Sequence, residues 1–378
     1  MPEFSERSYR MNTSISKEVR QNNGIYFTPL SARRRLFDKL REFNILPSTV
    51  LEPSFGSGEF LDDIKTEYPT ATIHGVELMK EMFDDYPASP TLVNSDFLEY
   101  HAEPVDLIIG NPPYVVTTIK NSECQTGRGN LFVLFVYKCL TEHMHEGSVL
   151  AFVLPTSFYN CSYYEPCRRY ISKNTTILYV ETIEAKYYET GQKTMIMILK
   201  KETPKNSNFI LKHGDTVYIT PQYEELQKSL SKASTLRDLG FTVKTGDVVW
   251  NQEKEKLSND EGTLIVYTGN ISDNKLTFPK LKGEKKQYIK GFAKKHSVGP
   301  ALVVSRGYGN NYSFNWAVIP AGTEFYGENH VNVVTGPPEH FDRIVNSLKS
   351  EKTQEFINMF VGNGALSKTE LETILPIF

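Results

Sequence analysis

The first half of the chain alternates short apolar runs with amphipathic stretches. The apolar runs are rich in β-branched residues and predict strands at Thr49 to Leu51, Thr72 to Glu77, Val105 to Gly110, Val149 to Leu154, Ile177 to Thr182 and Met195 to Leu199. Helical periodicity predicts helices between them, including one from Ser31, as its N-cap, to Phe43 and one from Asn130 to Met144. Such alternation is typical of an α/β fold, with a parallel sheet covered by helices on both faces.

The pattern changes after residue 203. The stretch from Glu202 to Asn208 is polar and contains Pro204, as expected of a linker, and short irregular strands with many glycines and aromatic residues follow it. We therefore predict two domains. Residues 1–203 form the α/β domain, with its first 20 or so residues expected to be flexible, and residues 204–378 form a smaller, mixed, mainly β domain.

Composition narrows the class of protein. An apolar fraction of 39% and a charged fraction of 23% are those of a globular protein, and the longest apolar runs are too short to cross a membrane. The polar N-terminus does not resemble a secretory signal, so an intracellular, cytoplasmic location is expected. The four cysteines form no CxxC pair and have no His at zinc spacing, so neither a disulfide framework nor a metal site is predicted.

A glycine-containing turn follows the first predicted strand, within Leu51 to Phe60. Gly56 and Gly58 allow the backbone to turn tightly and to approach a ligand at the carboxyl end of the strand. Glu52 and Pro53 precede the turn, and an acid there suits a cationic ligand better than a pyrophosphate. A plain tight turn would explain the glycines about as well.

Two further strand ends carry acids. Glu77 ends the second strand, where a carboxylate can accept hydrogen bonds from both hydroxyls of a ribose. Asp96 and Phe97 offer an acceptor for an adenine amino group and an apolar face for its ring. Each acid alone is more often a solvated strand end, but together with the turn they predict a nucleoside pocket.

The segment from Asn111 to Tyr114 is the most informative motif, because a buried strand leads directly into a rigid polar turn. An aromatic amine is a poor nucleophile while its lone pair is delocalised. The Asn111 side-chain oxygen and the Pro112 carbonyl oxygen could accept both amino hydrogens and favour the pyramidal amine, and Tyr114 could stack on the base. A proline-stiffened strand exit is the structural alternative.

The order of these motifs resembles that of the gamma class of amino-methyltransferases, specifically the Taq-type N6-adenine DNA methyltransferases of restriction-modification systems and chlorella viruses. The resemblance covers the chain from about Arg20 to Lys200. It implies a Rossmann-like methyltransferase sheet with helices on both faces, S-adenosylmethionine as cofactor, and methyl transfer to N6 of an adenine flipped out of a short duplex site. The catalytic residues that it implies are Asn111, Pro112 and Tyr114.

The resemblance also assigns cofactor contacts and a second stacking residue. Tyr26 to Pro29 resembles the N-terminal element that contacts the methionine end of the cofactor, with Thr28 on the carboxylate. The full set of cofactor-binding residues is Tyr26, Thr28, Glu52, Pro53, Gly56, Gly58, Glu77, Asp96, Phe97 and Asn111. A further aromatic that sandwiches the base falls on Tyr188, with Tyr187 as the alternative.

The second domain resembles target-recognition domains, so double-stranded DNA is the expected partner. Eight lysines lie in the stretch from Lys275 to Lys295, and Glu284 is the single acid there. The residues expected on DNA are Lys280, Lys282, Lys285, Lys286, Arg306 and Tyr308, although a solvated loop and a glycine-rich hairpin are the plain alternatives. The resemblance implies a short palindromic target, with TCGA as a guess, and a partner endonuclease for the same site; a monomer suffices for the reaction.

Other functions remain open at this stage. Protein N5-glutamine methyltransferases use the same Asn-Pro-Pro-Tyr turn, but they have no use for a C-terminal half of this size. An RNA adenine methyltransferase would share the chemistry, and a non-catalytic DNA specificity subunit would not need an intact catalytic turn. Pro166-Cys167 lies in a helical stretch, so we interpret Cys167 as structural rather than as the nucleophile of a cytosine methyltransferase.

Overall fold

In a computed structural model of the chain, the described residues are 3–185, 187–188, 193–306, 314–361 and 366–378. They form two compact units, Met1–Tyr223 and Glu224–Phe378. The sequence places the domain change about 20 residues earlier, at residue 203. The intervening hairpin belongs to the first unit because the buried Arg168 donates from Nε to the carbonyl oxygen of Val217, at 2.7 Å.

The elements of the first unit agree closely with the predicted alternation. The helices are α1 (Glu6–Ser14), α2 (Lys17–Asn23), α3 (Leu30–Glu42), α4 (Glu59–Glu67), α5 (Lys80–Asp85), α6 (Leu131–Lys138) and α7 (Glu165–Asn174). The strands are β1 (Thr49–Glu52), β2 (Thr72–Glu77), β3 (Leu92–Asn94), β4 (Val105–Gly110), β5 (Val116–Thr117), β6 (Gly129–Asn130), β7 (Met144–Pro155), β8 (Thr175–Ile183), β9 (Thr194–Lys201), β10 (Ile210–His213) and β11 (Thr216–Ile219).

A seven-stranded sheet organises this unit, in the order β3-β2-β1-β4-β7-β9-β8. Strands β3, β2, β1, β4 and β7 pair in parallel, whereas β9 runs antiparallel between β7 and β8. The predicted parallel sheet is therefore confirmed for its larger part. Strand β9 is antiparallel to β8 because only the ten residues 184–193 join the two strands, fewer than a crossover between parallel strands needs.

Helices cover both faces of the sheet, as predicted. Alternate strand residues point to opposite faces. Val50 and Leu107 pack against α3 and α4, whereas Leu51 and Ile108 pack against α6 and α7. The predicted helix from Asn130 to Met144 begins at Leu131 with Asn130 as its cap and ends in a π-helical turn, Cys139–His143.

The N-terminal residues depart from the prediction of a flexible extension. From residue 6 onward they form α1 and α2, and the apolar side chains of Phe4 before α1, Met11 within it and Ile15 after it are buried. The Ser5 amide and the Ser8 hydroxyl both donate to the Glu59 carboxylate, each at 2.7 Å. A polar segment is ordered here because a buried carboxylate of another helix satisfies its donors.

The cap of α3 also differs from the prediction. The helix begins one residue before Ser31, with Pro29 as its N-cap residue. Ser31 lies inside the first turn, and its hydroxyl and amide donate to the Glu3 carboxylate. The hydrogen-bond donors of this first turn are therefore satisfied by the preceding N-terminal segment, whose position sequence periodicity does not predict.

The second unit is mixed and rich in short strands, as predicted. Its helices are α8 (Tyr223–Leu230), which starts at the boundary, α9 (Phe341–Lys349), α10 (Glu351–Val361) and α11 (Lys368–Thr373). Its strands are β12 (Thr242–Thr245), β13 (Leu257–Ser258), β14 (Thr263–Val266), β15 (Ile271–Ser272), β16 (Lys275–Leu276), β17 (Tyr288–Ile289), β18 (Ser297–Val298), β19 (Ala301–Ser305), β20 (Trp316–Ile319), β21 (Glu324–Gly327) and β22 (Val331–Thr335). The larger sheets have the orders β12-β22-β19-β20 and β13-β17-β14-β21-β18. Within the described residues, no helix has the length and apolarity needed to cross a membrane.

Asp106 holds the amino ends of β1 and β4 together. Its Oδ2 accepts from the amide and hydroxyl of Ser48, at 2.8 and 2.6 Å, and from those of Thr49, at 3.0 and 3.1 Å. These donors stabilise the carboxylate, first among them the Ser48 hydroxyl, and lower the pKa of Asp106 to about 2.

We expect Asp106→Asn to lower the free energy of unfolding by about 1–2 kcal/mol at neutral pH, a value discounted because the carboxylate is partly exposed. A lowered pKa stabilises the fold above the unfolded value of 3.8, and this stabilisation is lost as the pH falls towards 2. Urea unfolding at several pH values, with Asp84→Asn on the exposed face of α5 as the control, measures the difference. An Asp106 effect that stays constant between pH 7 and pH 2.5 would contradict the assignment.

Candidate active site

The polar strand ends predicted from the sequence meet at one edge of the seven-stranded sheet. Strands β1 and β4 are neighbours, and the chain leaves them in opposite directions along the sheet, to β2 on one side and to β7 on the other. In open α/β sheets, ligands bind at the carboxyl edge where the strand order reverses in this way. Glu77, Asp96 and Asn111 all lie at this edge.

A cavity opens at this edge. Its lining includes seven of the residues that the sequence predicts for a cofactor, namely Tyr26, Pro53, Gly56, Glu77, Asp96, Phe97 and Asn111. Other lining residues are Asn22, Asn23, Gly24, Ile25, Phe27, Ser54, Leu78, Met79, Met82, Ser95, Leu98, Pro113, Ile119, Leu131 and Phe135. Its ionisable carboxylates, Glu77 and Asp96, are accompanied by no basic side chain among these residues, so the lining suits a cationic ligand.

Gly56 and Glu77 form one wall of the cavity. Gly56 has φ +54°, and a Cβ built there would meet no described atom within 4 Å, so open space adjoins the turn. The amides of Gly56 and Met79 donate to the two carboxylate oxygens of Glu77, at 2.8 and 2.7 Å. Burial raises the pKa of Glu77 against the opposing effect of these donors. The carboxylate lies in the lining of the cavity, where a ribose hydroxyl could donate to it.

Asp96 and Phe97 differ in their surroundings. Asp96 is half-buried, and its Oδ1 accepts from the Leu98 amide at 2.8 Å, which fixes the carboxylate beside the cavity. The Phe97 ring is 2% exposed and packs on Phe135 at 4.7 Å and on His143 at 5.3 Å. Phe97 therefore belongs to the core as well as to the cavity wall.

Glu52 and Gly58 lie behind the turn and not among the residues of the cavity lining. The Glu52 side chain is 1% exposed and lies against Gly110, where an added Cβ would overlap its carboxylate. Its Oε1 accepts from the Ser54 amide at 3.2 Å, while no described group is bonded to Oε2. Gly58, with φ +80°, packs directly on the Tyr86 ring. Both residues shape the turn from beneath.

The predicted catalytic turn, Asn111 to Tyr114, is organised by the side-chain amide of Asn111. Its Nδ2 donates to the Tyr26 carbonyl oxygen at 3.2 Å and to the Thr28 Oγ1 at 3.0 Å. The Tyr114 hydroxyl lies 2.5 Å from Asn111 Oδ1 and 2.9 Å from the Val153 carbonyl oxygen, and burial raises its pKa well above the ordinary value. Tyr114 is thus a protonated donor, and its ring meets Phe132 edge-on.

Thr28 and Tyr188, for which the resemblance implies contacts with the cofactor and the base, both contact other residues of the protein. The Thr28 hydroxyl bonds to Asn111, and the cavity lining stops at Phe27. The Tyr188 ring stacks on Phe4 at 4.0 Å, within the cluster formed by the N-terminal helices. Tyr187 is buried, and its hydroxyl lies 3.0 Å from that of Thr194.

The sequence analysis missed the contribution of α2. The end of this helix supplies Asn22 and Asn23 to the cavity, and Gly24 terminates the helix with φ +66°. A Cβ at Gly24 would clash with Val115 and press on the Tyr114 amide, so this glycine allows close contact with the catalytic turn. The Asn-Asn-Gly helix stop just before Tyr26 was a signal available in the sequence.

The predicted DNA-binding lysines divide into two pairs. Lys280 and Lys282 are exposed on the loop after β16. Lys285 lies over the rings of Trp250 and Tyr267, at 5.5 and 5.3 Å, and Lys286 donates to the Leu257 carbonyl oxygen. Arg306 donates to the Asn329 carbonyl oxygen at 2.8 Å, and Tyr308 lies outside the described residues.

Within the described part of the chain, the cysteines and the potential metal ligands form no second functional site. Cys167 is completely buried, and burial raises the pKa of its thiol well above the ordinary value, as expected of a structural side chain. No group of His, Cys, Asp and Glu side chains among the described residues is arranged to hold a metal ion.

Comparison with known proteins gives consistent similarities. A family described as Eco57I restriction-modification methylase matches residues 31–188. The modification methylase CviBIII of Paramecium bursaria Chlorella virus NC1A is 29% identical over 100% of this chain and 99% of its own length. The type II methyltransferase M.CvrRI of Paramecium bursaria Chlorella virus XZ-6E is also 29% identical, over 99% of each chain. A solved class I S-adenosylmethionine-dependent methyltransferase of Listeria monocytogenes has a TM-score of 0.42 at 18% identity and covers 53% of this chain and 68% of its own.

The chain is therefore similar to a modification methylase and to a type II methyltransferase over its whole length, and to restriction-modification methylases over residues 31–188. S-adenosylmethionine is the cofactor that this similarity supports. The residues at the cavity fit it. The open space beside Gly56 admits a ligand to the turn, Glu77 offers acceptors for ribose hydroxyls, and Asp96 offers an acceptor for an adenine amino group. Two acids without a basic neighbour in the lining suit the positively charged sulfonium.

The buried Glu52 makes stability fall with rising pH. Burial raises its pKa from 4.5 to about 8, so between these values the folded protein binds more protons than the unfolded chain. Its contribution to stability then decreases by roughly 1 kcal/mol per pH unit. Glu52→Gln keeps the shape of the side chain and stays neutral. We therefore expect the stability of this variant not to show the decrease that Glu52 causes as the pH rises.

Denaturant unfolding of both proteins between pH 5 and pH 8 checks this expectation. The variant should gain stability relative to the wild type as the pH rises. Glu123→Gln, an exposed acid, is the control and should follow the wild type. Parallel pH profiles of wild type and Glu52→Gln would show that Glu52 is ionised in the folded protein.

Proposed function

We propose that the chain is a DNA methyltransferase that transfers a methyl group from S-adenosylmethionine to N6 of an adenine flipped out of a short duplex site. The observation that carries the proposal is the side-chain amide of Asn111, whose oxygen faces a hydrogen-bond donor at the edge of the cavity. The relatives named as a modification methylase and as a type II methyltransferase support DNA as the substrate.

The catalytic turn activates the amine by hydrogen bonding. S-adenosylmethionine supplies an electrophilic methyl group when bound. Asn111 Oδ1 and the Pro112 carbonyl oxygen accept the two amino hydrogens, which disfavours conjugation with the ring and directs the nitrogen lone pair outward. A substrate amino hydrogen takes the place that the Tyr114 hydroxyl occupies on Oδ1. No covalent bond to the protein is required.

Aromatic stacking offsets the cost of flipping the base. We assign Tyr114, which is half-buried at the edge of the turn, to one face of the adenine. Tyr188 remains our proposal for the second face, and it would have to leave its stack on Phe4 to reach the base. Stacking is worth about 1–3 kcal/mol per base, comparable with the cost of unstacking one nucleotide.

The product of the reaction tests the proposal. Purified protein is incubated with tritiated S-adenosylmethionine and unmethylated plasmid DNA, total RNA or a release-factor-like protein, and the labelled nucleoside or amino acid is identified after digestion. We expect label in N6-methyladenine of DNA at a short site, which an endonuclease of the same specificity would then fail to cut. Label in glutamine or RNA would contradict the proposed substrate.

Asn111→Ala tests the catalytic turn in the same assay. Loss of a preorganised acceptor for the transition state should lower turnover by at least about 100-fold, while cofactor affinity measured by calorimetry changes by less than about 3-fold because the cavity keeps its other contacts. Asn174→Ala, whose side chain donates to the Tyr170 carbonyl oxygen on α7, is the matched control. Turnover by Asn111→Ala within 10-fold of the wild type would remove Asn111 from the mechanism.

Lys280 and Lys282 are our proposed phosphate contacts in the second unit. Both are exposed, and the neighbouring Phe278 is 58% exposed, a combination of charge and aromatic surface that suits nucleic acid. Lys285 and Lys286 are engaged with aromatic rings and a backbone carbonyl group, so we assign them mainly to the packing of this loop.

The double variant Lys280→Ala/Lys282→Ala should weaken binding to duplexes of any sequence. Each lost phosphate contact lowers the slope of log K against log salt concentration by about 0.9. Fluorescence anisotropy with specific and random duplexes at several salt concentrations measures this slope. Lys228→Ala/Lys232→Ala, on and after α8, is the control. A salt slope equal to that of the wild type would exclude both lysines from the interface.

A further inference from the structure

The side-chain amide of Asn111 is held from behind by the N-terminal segment. Its Nδ2 lies 3.2 Å from the Tyr26 carbonyl oxygen and 3.0 Å from Thr28 Oγ1, so both amide hydrogens have acceptors. Its Oδ1 lies on the opposite side, 2.5 Å from the Tyr114 hydroxyl. The amide nitrogen thus donates to this segment, and the amide oxygen is directed at a hydrogen-bond donor.

The orientation matters because an asparagine amide is nearly symmetric in shape. Rotation by 180° about its last bond exchanges oxygen and nitrogen with almost no steric change, so hydrogen-bond partners alone decide which atom faces the substrate. With the nitrogen outward, Asn111 would offer hydrogens to an amine that needs acceptors. A device that fixes the amide therefore determines whether the turn can activate an amine.

We propose that Thr28 is a positioning residue for Asn111, and that its hydroxyl oxygen, together with the Tyr26 carbonyl oxygen, keeps Asn111 Oδ1 directed at the amino group of the substrate. The inference rests on the proposed methyl transfer to an amino group. The resemblance implies a different role, in which the Thr28 hydroxyl binds the carboxylate of the cofactor, and the experiment below separates the two roles.

The surroundings of Thr28 support a positioning role. Thr28 is 5% exposed, and the cavity lining includes Tyr26 and Phe27 but stops before it. Its carbonyl oxygen accepts from Arg33 Nη1 at 2.5 Å, and the same guanidinium pairs with Glu59 at 3.0 Å and with Asp63 at 2.6 Å. A buried ion-pair network between α3 and α4 therefore fixes the backbone that carries the hydroxyl.

The Tyr26 carbonyl group cannot be removed by substitution, but the Thr28 hydroxyl can. Thr28→Val keeps the shape and loses the acceptor, whereas Thr28→Ser keeps the acceptor. Thr175→Val is the matched control, because Thr175 is 1% exposed and its hydroxyl bonds to the Ile171 carbonyl oxygen, away from the cavity.

Three quantities are measured on the full chain: the dissociation constant for S-adenosylmethionine, the single-turnover rate of methyl transfer at saturating cofactor and DNA, and the thermal midpoint. We expect Thr28→Val to slow methyl transfer about 3- to 10-fold, as the loss of one hydrogen bond implies, with a change in the dissociation constant of less than 2-fold. Thr28→Ser should restore the rate to within 2-fold of the wild type. Thr175→Val should lower the thermal midpoint and leave the rate unchanged.

Two results would overturn the positioning role. A raised dissociation constant with an unchanged transfer rate would return Thr28 to the cofactor carboxylate, and no change in either quantity would leave the hydroxyl without a function. If Thr28→Val does not fold, Thr28→Ala is judged by the same criteria, because it removes the hydroxyl without placing a methyl group in its position beside the Asn111 amide. Label found in a glutamine amide would overturn the DNA substrate but not the role of Thr28, whereas no transfer by the wild type to any acceptor would overturn both.

Discussion

The parallel pairing of β1 with β4 is the constraint on which the catalytic unit depends. Val50 pairs with Leu107 and Leu51 with Ile108, so both strands end at the same edge, and the glycine turn and the Asn-Pro-Pro-Tyr turn emerge side by side. The two crossovers leave in opposite directions and keep helices away from this point, which leaves a cavity there. Asp106 ties the other ends of the same two strands through four hydrogen bonds from Ser48 and Thr49. These hydrogen bonds therefore help to fix, from the amino ends, the register that aligns the two turns at the carboxyl ends.

The N-terminal segment completes the site that the sheet begins. Its helices pack on the unit through Phe4 and Met11 and through hydrogen bonds to the Glu59 carboxylate. The segment then supplies one wall of the cavity, and Gly24 allows it to approach the catalytic turn closely. Without this segment, the Asn111 side-chain amide would lose both acceptors of its nitrogen and keep the contact of its oxygen with the Tyr114 hydroxyl. A segment that precedes the sheet in the chain thus supplies the hydrogen-bond acceptors for a turn after the fourth strand.

Charge is distributed to suit two different ligands. The cavity in the first unit presents Glu77 and Asp96 with no basic lining residue, which favours a cationic cofactor. The second unit presents Lys280 and Lys282 on an exposed loop, which favours a polyanion. The net charge of −3 conceals this separation, because it sums regions of opposite sign. Local charge is therefore more informative than the total about the partners of this chain.

The sequence by itself determined the order of the six predicted strands, the turns at their ends and the types of side chain at each turn. These features follow from local periodicity and from backbone limits on Gly and Pro, so β2 and β4 begin and end at the predicted residues. Only the tertiary structure decided which side chains reach the cavity. Glu52 and Gly58 belong to the glycine motif yet lie beneath the turn, Thr28 bonds to Asn111, and Tyr188 stacks on Phe4. The physical reason is that a motif defines which hydrogen bonds a residue can make, whereas the partners come from segments distant in the chain, and their packing determines which of these bonds form.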